Sequence, residues 1–307
     1  MKKFFSILFV LMGMGILMAE ETTVFIGLRK EVLVEKTATN ITVISEEKIK
    51  NSDAKNVGEI LKNKTGIVES PKYGTLGALS EIRIRSGGGS SKQVLVMIDG
   101  RPANNNALGS ANLSEIPTEN IEKIEIMRGP ASALYGANAL GGVVNIITKK
   151  ATTAKPKTEI GIEGGSFQTQ NYKMNFTAMP GKANIFLSGG KNITDGFRDN
   201  SDYNATDFSA KIGYDFEKYG ELSLSNGFST SKLGVPGTNN TPLGEWDNHK
   251  ERAASVPNAN QKDEKFYSQL EHKINVAKSP LKINLYWDTH KRNYKDPDAF
   301  TDTTAKP

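Results

Sequence analysis

The chain has 307 residues, 24% of them charged, and a formal net charge of +5 that is too small and too dispersed to point to nucleic acid. It has no cysteine, which excludes a disulfide framework, a thiolate zinc site and lipidation at a cysteine. A mean hydropathy of −0.43 excludes a bundle of membrane helices but not a membrane β-barrel, whose apolar and polar residues alternate and average out.

Lys2 and Lys3 precede a nearly unbroken apolar run over 4–18, shorter than the roughly 20 residues of a spanning helix. The run ends at the small residue Ala19. Residues 1–19 are therefore expected to be a secretory signal peptide, with an uncleaved N-terminal anchor as the alternative.

From 37 to 150 the chain reads as a small α+β unit. Residues 41–44 suit a strand, and Ser45 is placed to cap a helix over 46–50. Asn56 and Glu59 form a capping pair for a second helix, whose apolar stripe is Val57, Ile60 and Leu61, and Thr65-Gly66 stops it. "SEIRIRSGGGSS" is an alternating strand that runs into a loop, and "QVLVMIDGRP" is an apolar strand closed by an Asp99-Gly100 turn. "NIEKIEIMRGP" alternates Ile121, Ile124 and Ile126 with charged residues. "RGPASALYGANALGGVVNIITKK", 128–150, gives a turn, a short helix and a buried strand over 143–147.

No catalytic arrangement emerges from this unit. Gly87-Gly88-Gly89-Ser90-Ser91-Lys92 lacks phosphate-loop spacing and leads into a strand rather than a helix. There is no Gly-x-Ser-x-Gly elbow, and His249, His272 and His290 are dispersed. The expectation is a non-enzyme with no catalytic residue, no cofactor and no assigned metal ligand.

After Lys150 seven segments alternate with period two. Tyr172, Met174, Phe176 and Ala178 share one face against Lys173, Asn175 and Thr177. Phe208, Ala210, Ile212 and Tyr214 oppose Asp207, Ser209, Lys211 and Gly213. Leu281, Ile283, Leu285 and Trp287 share a face, and Phe186 is an exception in its own segment. Segments of about 9 to 11 residues with one apolar face match the staves of a transmembrane barrel. Phe208 and Phe216 lie eight residues apart, roughly 26 Å along a strand, which suits one ring near each membrane interface. Short turns alternate with long polar loops, as in outer-membrane barrels. A soluble antiparallel sandwich is the alternative.

"VLVMIDGRP", "IEKIEIMRGPASALYGANALGGVVNIITKK" and the barrel-like region together resemble the TonB-dependent outer-membrane receptor family, over essentially the whole chain. "EETTVFIG", 20–27, is similar to that family's TonB box, whereas its Ile-Arg-Gly motif stands here as Ile84-Arg85-Ser86. The resemblance implies four segments: a signal peptide at 1–19, a TonB box and linker at 20–36, an α+β plug at 37–150, and the first part of a 22-stranded antiparallel barrel at 151–307. Seven strands cannot enclose a plug of this size, so the barrel is expected to be truncated. The glycines of 128–150 are expected to permit close backbone approach where plug meets wall.

The resemblance also implies a function and its residues. The protein would be a receptor for energy-coupled uptake, set in outer-membrane lipid. Its cargo would be a ferric siderophore, with cobalamin as the alternative. A signalling transducer and a passive porin or adhesin are the alternatives of other classes. The partner TonB would pair with Thr22, Thr23, Val24, Phe25, Ile26 and Gly27. Plug loops 72–79 and 104–108 would meet cargo through Tyr73, Leu76, Asn104, Asn105, Asn106 and Leu108. Arg85 and Arg128 would anchor plug to barrel through wall glutamates. A long loop carrying Asp195, Asp199, Asp202 and Asp207, with Asn200 and Asn204, has oxygen ligands of the kind calcium prefers, although its spacing matches no EF-hand.

Overall fold

The computed structural model describes residues 23–24, 32–33, 40–52, 54–84, 90–105, 108–239, 241–245, 247, 249–276 and 279–297. A two-stranded pair leads in, β1 (Thr23–Val24) against β2 (Val32–Leu33), antiparallel. The α+β unit follows with β3 (Asn40–Ser45), α1 (Glu46–Lys50), α2 (Val57–Lys62), β4 (Ile67–Pro71), β5 (Ser80–Ile84), β6 (Val94–Ile98), β7 (Arg101–Pro102), β8 (Ile121–Arg128), α3 (Ser132–Tyr135) and β9 (Gly142–Thr148).

Local chemistry sets the helix starts. Ser45 Oγ accepts from Lys48 N at the start of α1, with Glu46 and Glu47 in its first turn. Asn56 Oδ1 accepts from Glu59 N at 3.1 Å, meeting one free N–H of α2, and Glu59 Oε2 reaches back to accept from Lys55 N, just before the cap, at 2.8 Å.

The central sheet has the order β3-β8-β9-β6-β7. Only β6 and β9 run parallel, and β4-β5 form a separate hairpin. Ile124, Ile126, Val94, Val96, Val144 and Ile146 meet Leu61 and Leu113 in the main core. A second cluster of Leu95, Met97, Met127, Val143 and Ala139 lies on the other face, where Tyr135 of α3 packs against it. Gly142 serves this interior. A Cβ there would lie 2.4 Å from the Met127 carbonyl, so the close approach expected at the plug–wall boundary is here one plug strand against another.

The second region is one antiparallel meander: β10 (Lys157–Gly165), β11 (Thr169–Ala178), β12 (Ala183–Thr194), β13 (Tyr203–Asp215), β14 (Glu221–Gly234), β15 (Asn260–Val276) and β16 (Ser279–Lys295). The fold class expected from the sequence is present, a plug beside an open seven-stranded wall. Ile160, Ile162, Met174, Phe208, Ile212, Leu285 and Trp287 stand exposed on the outer face. Asn171, Asn175, Ser188, Ser223, Ser225, Asp263, Gln269 and Glu271 are buried on the inner one. Phe186 breaks the pattern because its position points inward, where it is 2% exposed.

Some strands exceed the expected 9 to 11 residues, reaching 17 in β15 and β16. Seventeen residues span roughly 56 Å along the strand, longer than the roughly 30 Å thickness of a hydrocarbon core. Loop 195–202 is correspondingly shorter than the polar composition suggested, because its flanks join β12 and β13. Phe208, Phe228 and Phe266 form one row across β13–β15, and Trp287 meets Phe266 edge-on at 5.7 Å. Phe216 falls just beyond β13, beside Tyr214 at 4.7 Å, near the short-turn end. Among the described residues no helix is long and apolar enough to cross a membrane.

Candidate functional site: the seam between plug and wall

The wall's inner face carries rows of residues fixed by strand register, and the plug meets several of them in turn. Lys211, Ser225, Gln269 and Tyr286 form one row, and Ser209, Gly227, Tyr267 and Asp288 the next. Asp207, Ser229, Lys265 and His290 form a third, and Ala205, Ser231, Asp263 and Arg292 a fourth.

The lowest contact is made by the β6–β7 turn. Asp99 and Gly100 both have positive φ, 51° and 86°, as a tight two-residue hairpin turn needs. The Asp99 carboxylate accepts from Thr148 N at 2.9 Å, Thr148 Oγ1 at 2.5 Å and the wall's Lys211 Nζ at 2.9 Å. Its carbonyl accepts from Gln269 Nε2 at 3.2 Å and Lys282 Nζ at 3.4 Å. Burial alone would push the carboxyl up, but Lys211 and the two Thr148 donors outweigh it and hold it below the ordinary aspartate range.

One row higher, the buried Arg101 pairs with Asp288, and its guanidinium lies 4.5 Å from the centre of the Tyr267 ring. Higher still, the plug's Glu115 receives Lys265 and, at 3.0 Å, Arg292. Arg292 Nε and His290 Nε2 also reach Asp263, at 2.7 and 2.9 Å. Glu115, Asp263 and His290 are the one convergence of acids and histidine among the described residues, their donor atoms lying within 4.8 Å. Lys265 and Arg292 already pair with those carboxylates. On the far side of the plug, Lys55 pairs with Glu163 and Lys50 with Glu159. A cavity of about 560 Å³ lies between plug and wall, lined among others by Arg101, Asn105, Leu108, Tyr267 and Asp288.

The residues singled out from the sequence distribute unevenly. Tyr73 is 38% exposed with φ 62°, and Leu108 is 46% exposed. Leu76 packs with the wall's Tyr203, Leu233 and Val235. The Asn104 side chain is engaged by its own loop: it accepts from Val96 N and donates to Val94 O and Gly109 O at 2.8 to 3.0 Å. Asn105 Oδ1 accepts from Leu108 N at 3.1 Å. Arg128 donates within the plug, to Thr65 O, Asn40 Oδ1 and Thr42 Oγ1. Thr23 and Val24 lie in β1, with Val24 fully buried. Thr22, Phe25, Ile26, Gly27, Arg85 and Asn106 lie outside the described residues. Asp207 belongs to β13 and lines the cavity rather than joining Asp195, Asp199 and Asp202 in the loop. Asp99, Arg101, Glu115 and Lys211 were not singled out as a site. The available signals were the tight Asp99-Gly100 turn and a lysine at an inward position of an alternating strand.

Removing one partner of this part-buried pair leaves the other charge poorly compensated. Asp99→Asn or Lys211→Met is therefore expected to weaken plug attachment by about 1–3 kcal/mol. A depressed carboxylate stabilises above its unfolded pKa of about 3.9, and that contribution is lost as pH falls through the lower folded value. Attachment should thus hold from neutral pH to about 4 and weaken below it, and Asp99→Asn should remove this acid-dependent loss. Amide exchange of β6 and β9 across a pH series measures both.

Residues 34–143 match the family model described as the TonB-dependent Receptor Plug Domain. The chain also resembles solved receptors. One is the pyoverdine outer-membrane receptor FpvA from Pseudomonas aeruginosa PAO1 bound to pyoverdine, with a TM-score of 0.72 at 15% identity over 89% of this chain and 40% of that one. The ferric yersiniabactin uptake receptor FyuA from Yersinia pestis matches at 0.68 and 18% identity, over 83% and 41%. The siderophore receptor PirA from Acinetobacter baumannii matches at 0.60 and 20%, over 82% and 40%. This chain therefore spans about two fifths of the length of each. The family match covers residues 34–143, which form a TonB-dependent receptor plug domain, and the seven-stranded wall beside them has the fold of part of the barrel of those solved receptors.

Proposed function

We propose that the protein is an outer-membrane receptor for energy-coupled uptake of a ferric siderophore, and not an enzyme. The observation that carries this reading is a plug-family domain held against a barrel-type wall by ion pairs, a polar seam that can open and close again. The cargo class is supported by the solved receptors that the chain resembles: one bound to pyoverdine, one a ferric yersiniabactin uptake receptor and one a siderophore receptor. Cobalamin is the less favoured cargo. The outward apolar face suits outer-membrane lipid, and residues 1–19 suit export by a signal peptide.

Uptake needs cargo contacts on one side of the plug and a coupling strand on the other. On the cargo side, Tyr73, Leu108 and Asn105 stand at the plug loops, with Leu76 and Asn104 shaping them and Asn106 proposed as a further cargo contact. Asn104 acts through its loop, since its amide is already bonded there. On the coupling side, Thr22, Thr23, Val24, Phe25, Ile26 and Gly27 would add a strand to TonB. The β1–β2 pairing shows Thr23 and Val24 extended. TonB would then pull on the plug, with Arg85 and Arg128 proposed as further anchors to wall glutamates.

A binding screen of the complete receptor with ferric hydroxamate, ferric catecholate, haem and cobalamin tests the cargo class. Binding of a ferric chelate supports it, and binding of cobalamin alone overturns it. Phe25→Pro removes an N–H from the coupling strand and is expected to abolish uptake of the bound chelate while leaving its affinity unchanged, by radiolabelled iron transport against equilibrium binding. Tyr73→Ala combined with Asn105→Ala is expected to lower affinity at least about tenfold, the loss of an aromatic contact and a polar one together. Unchanged affinity in titration calorimetry would move the cargo contacts elsewhere.

A further inference from the structure

Arg198 stands in loop 195–202, between β12 and β13, and its guanidinium reaches three separate backbone segments. It donates to Tyr73 O of the plug at 3.3 Å, and to Gly237 O at 2.7 Å and Ala253 O at 2.6 Å in the wall loop 235–259. Among the described residues no carboxylate forms an ion pair with it, the neighbouring Asp199 acting only through space, and its buried Nε has no hydrogen-bond partner; its guanidinium donates to main-chain carbonyls. The surroundings hold it in place. Ser201 Oγ donates to Arg198 O at 2.5 Å, and Asp199 N to Arg252 O at 2.8 Å. Asn200 Nδ2 donates to Val256 O and Ala259 O, both at 2.8 Å.

On the plug side the gripped carbonyl lies between two left-handed residues, Tyr73 at φ 62° and Gly74 at φ 66°. A planar guanidinium with a fixed fork of donors can hold such a carbonyl in one orientation, whereas the three donors of an ammonium radiate from one rotating nitrogen and fix the three segments less firmly. Nearby, plug residues Leu76 and Ala78 share an apolar cluster with Tyr203, Leu233, Val235 and Val256 of the wall. Two routes therefore join the plug loop to the wall loop, an apolar one through Tyr203 and a polar one through Arg198.

We propose that Arg198 is a positioning residue that makes the plug loop 72–79 and the wall-loop segments 235–239 and 253–259 move as one body. Displacement of Tyr73 is passed through the guanidinium to Gly237 and Ala253. The consequence for uptake rests on the reading of Tyr73 as a cargo contact: what seats on Tyr73 then also sets the position of the wall loop. The coupling itself does not depend on cargo.

Gly74 provides the lever for a test. A Cβ there meets nothing within 4 Å, so a side chain perturbs only the backbone that carries the Tyr73 carbonyl and leaves the Tyr203 cluster untouched. Gly74→Val, with Gly74→Ala as the milder variant should the first fail to fold, is compared with Arg198→Ala, Arg198→Lys and the double variants in the complete receptor without cargo. Hydrogen exchange is read at 72–79 and at 235–239 with 253–259. With Arg198 present, Gly74→Val is expected to raise exchange about tenfold in both regions, the scale of a left-handed side-chain penalty. With Arg198→Ala the wall loop is already faster, and Gly74→Val adds nothing there. Arg198→Lys restores part of the transmission. A Gly74→Val effect confined to 72–79, or an equal increment at the wall loop with and without Arg198, overturns the proposal. Because no cargo is present, this result stands or falls separately from the Tyr73 affinity measurement.

Discussion

The structure depends on one constraint, that a plug and a wall from the same chain stay joined through charged groups removed from bulk water. Asp99 and Lys211 show its terms most clearly. Taking a carboxylate and an ammonium out of water costs several kcal/mol each, and their mutual attraction roughly restores it. The two Thr148 donors tip the balance, because they solvate the carboxylate in place of water. A seam of this kind is specific in geometry yet modest in net energy. An apolar seam of similar area would hold more tightly and would expose a hydrophobic surface whenever the plug shifted.

The signs of the pairs add orientation. The plug offers carboxylates at Asp99 and Glu115 and cations at Lys50, Lys55 and Arg101. The wall answers with the opposite charge at each point. A plug rotated by one strand, or raised by one inward row, would bring like charges together or leave a buried charge alone. Either costs more than any single pair contributes, so register is enforced chiefly by what the wrong placements would lose.

Much of this fold was legible in the sequence, and the reasons differ by region. Period-two alternation in 151–295 exposes the wall because each strand faces lipid-like exposure on one side and plug on the other, so every second residue carries the signal. Phe186 broke the alternation, and its inward burial accounts for it. Helix starts were legible because Ser45 and Asn56 cap through neighbours three residues away. The seam was not. Asp99 and Lys211 are 112 residues apart, and Glu115 and Arg292 are 177 apart. No local pattern marks them, and an inward lysine in a barrel strand reads equally well as a solvated lumen residue. Asn104 misled for the opposite reason. A polar run in a loop suggests open donors and acceptors, but this asparagine satisfies the backbone of its own turn.

The placement of the seam contacts on successive inward rows bears on how the plug would be released if the proposed uptake function holds. Asp99, Arg101 and Glu115 engage the wall one row after another, each step being two residues, roughly 7 Å, along the strands. Contacts arranged along a line of pull can open one after another. The barrier is then set by the strongest single contact rather than by the sum, provided each freed charge is rehydrated before the next pair breaks. The cavity beside Arg101 and Asp288 gives water a place to do that. Asp99 lies at one end of the series, nearest the short-turn end of β13, and is the most fully ligated of the three. A pull arriving from that end meets the strongest contact first, and the weaker ones then yield in turn. The seam would therefore resist small fluctuations and give way only to a sustained force applied through the plug.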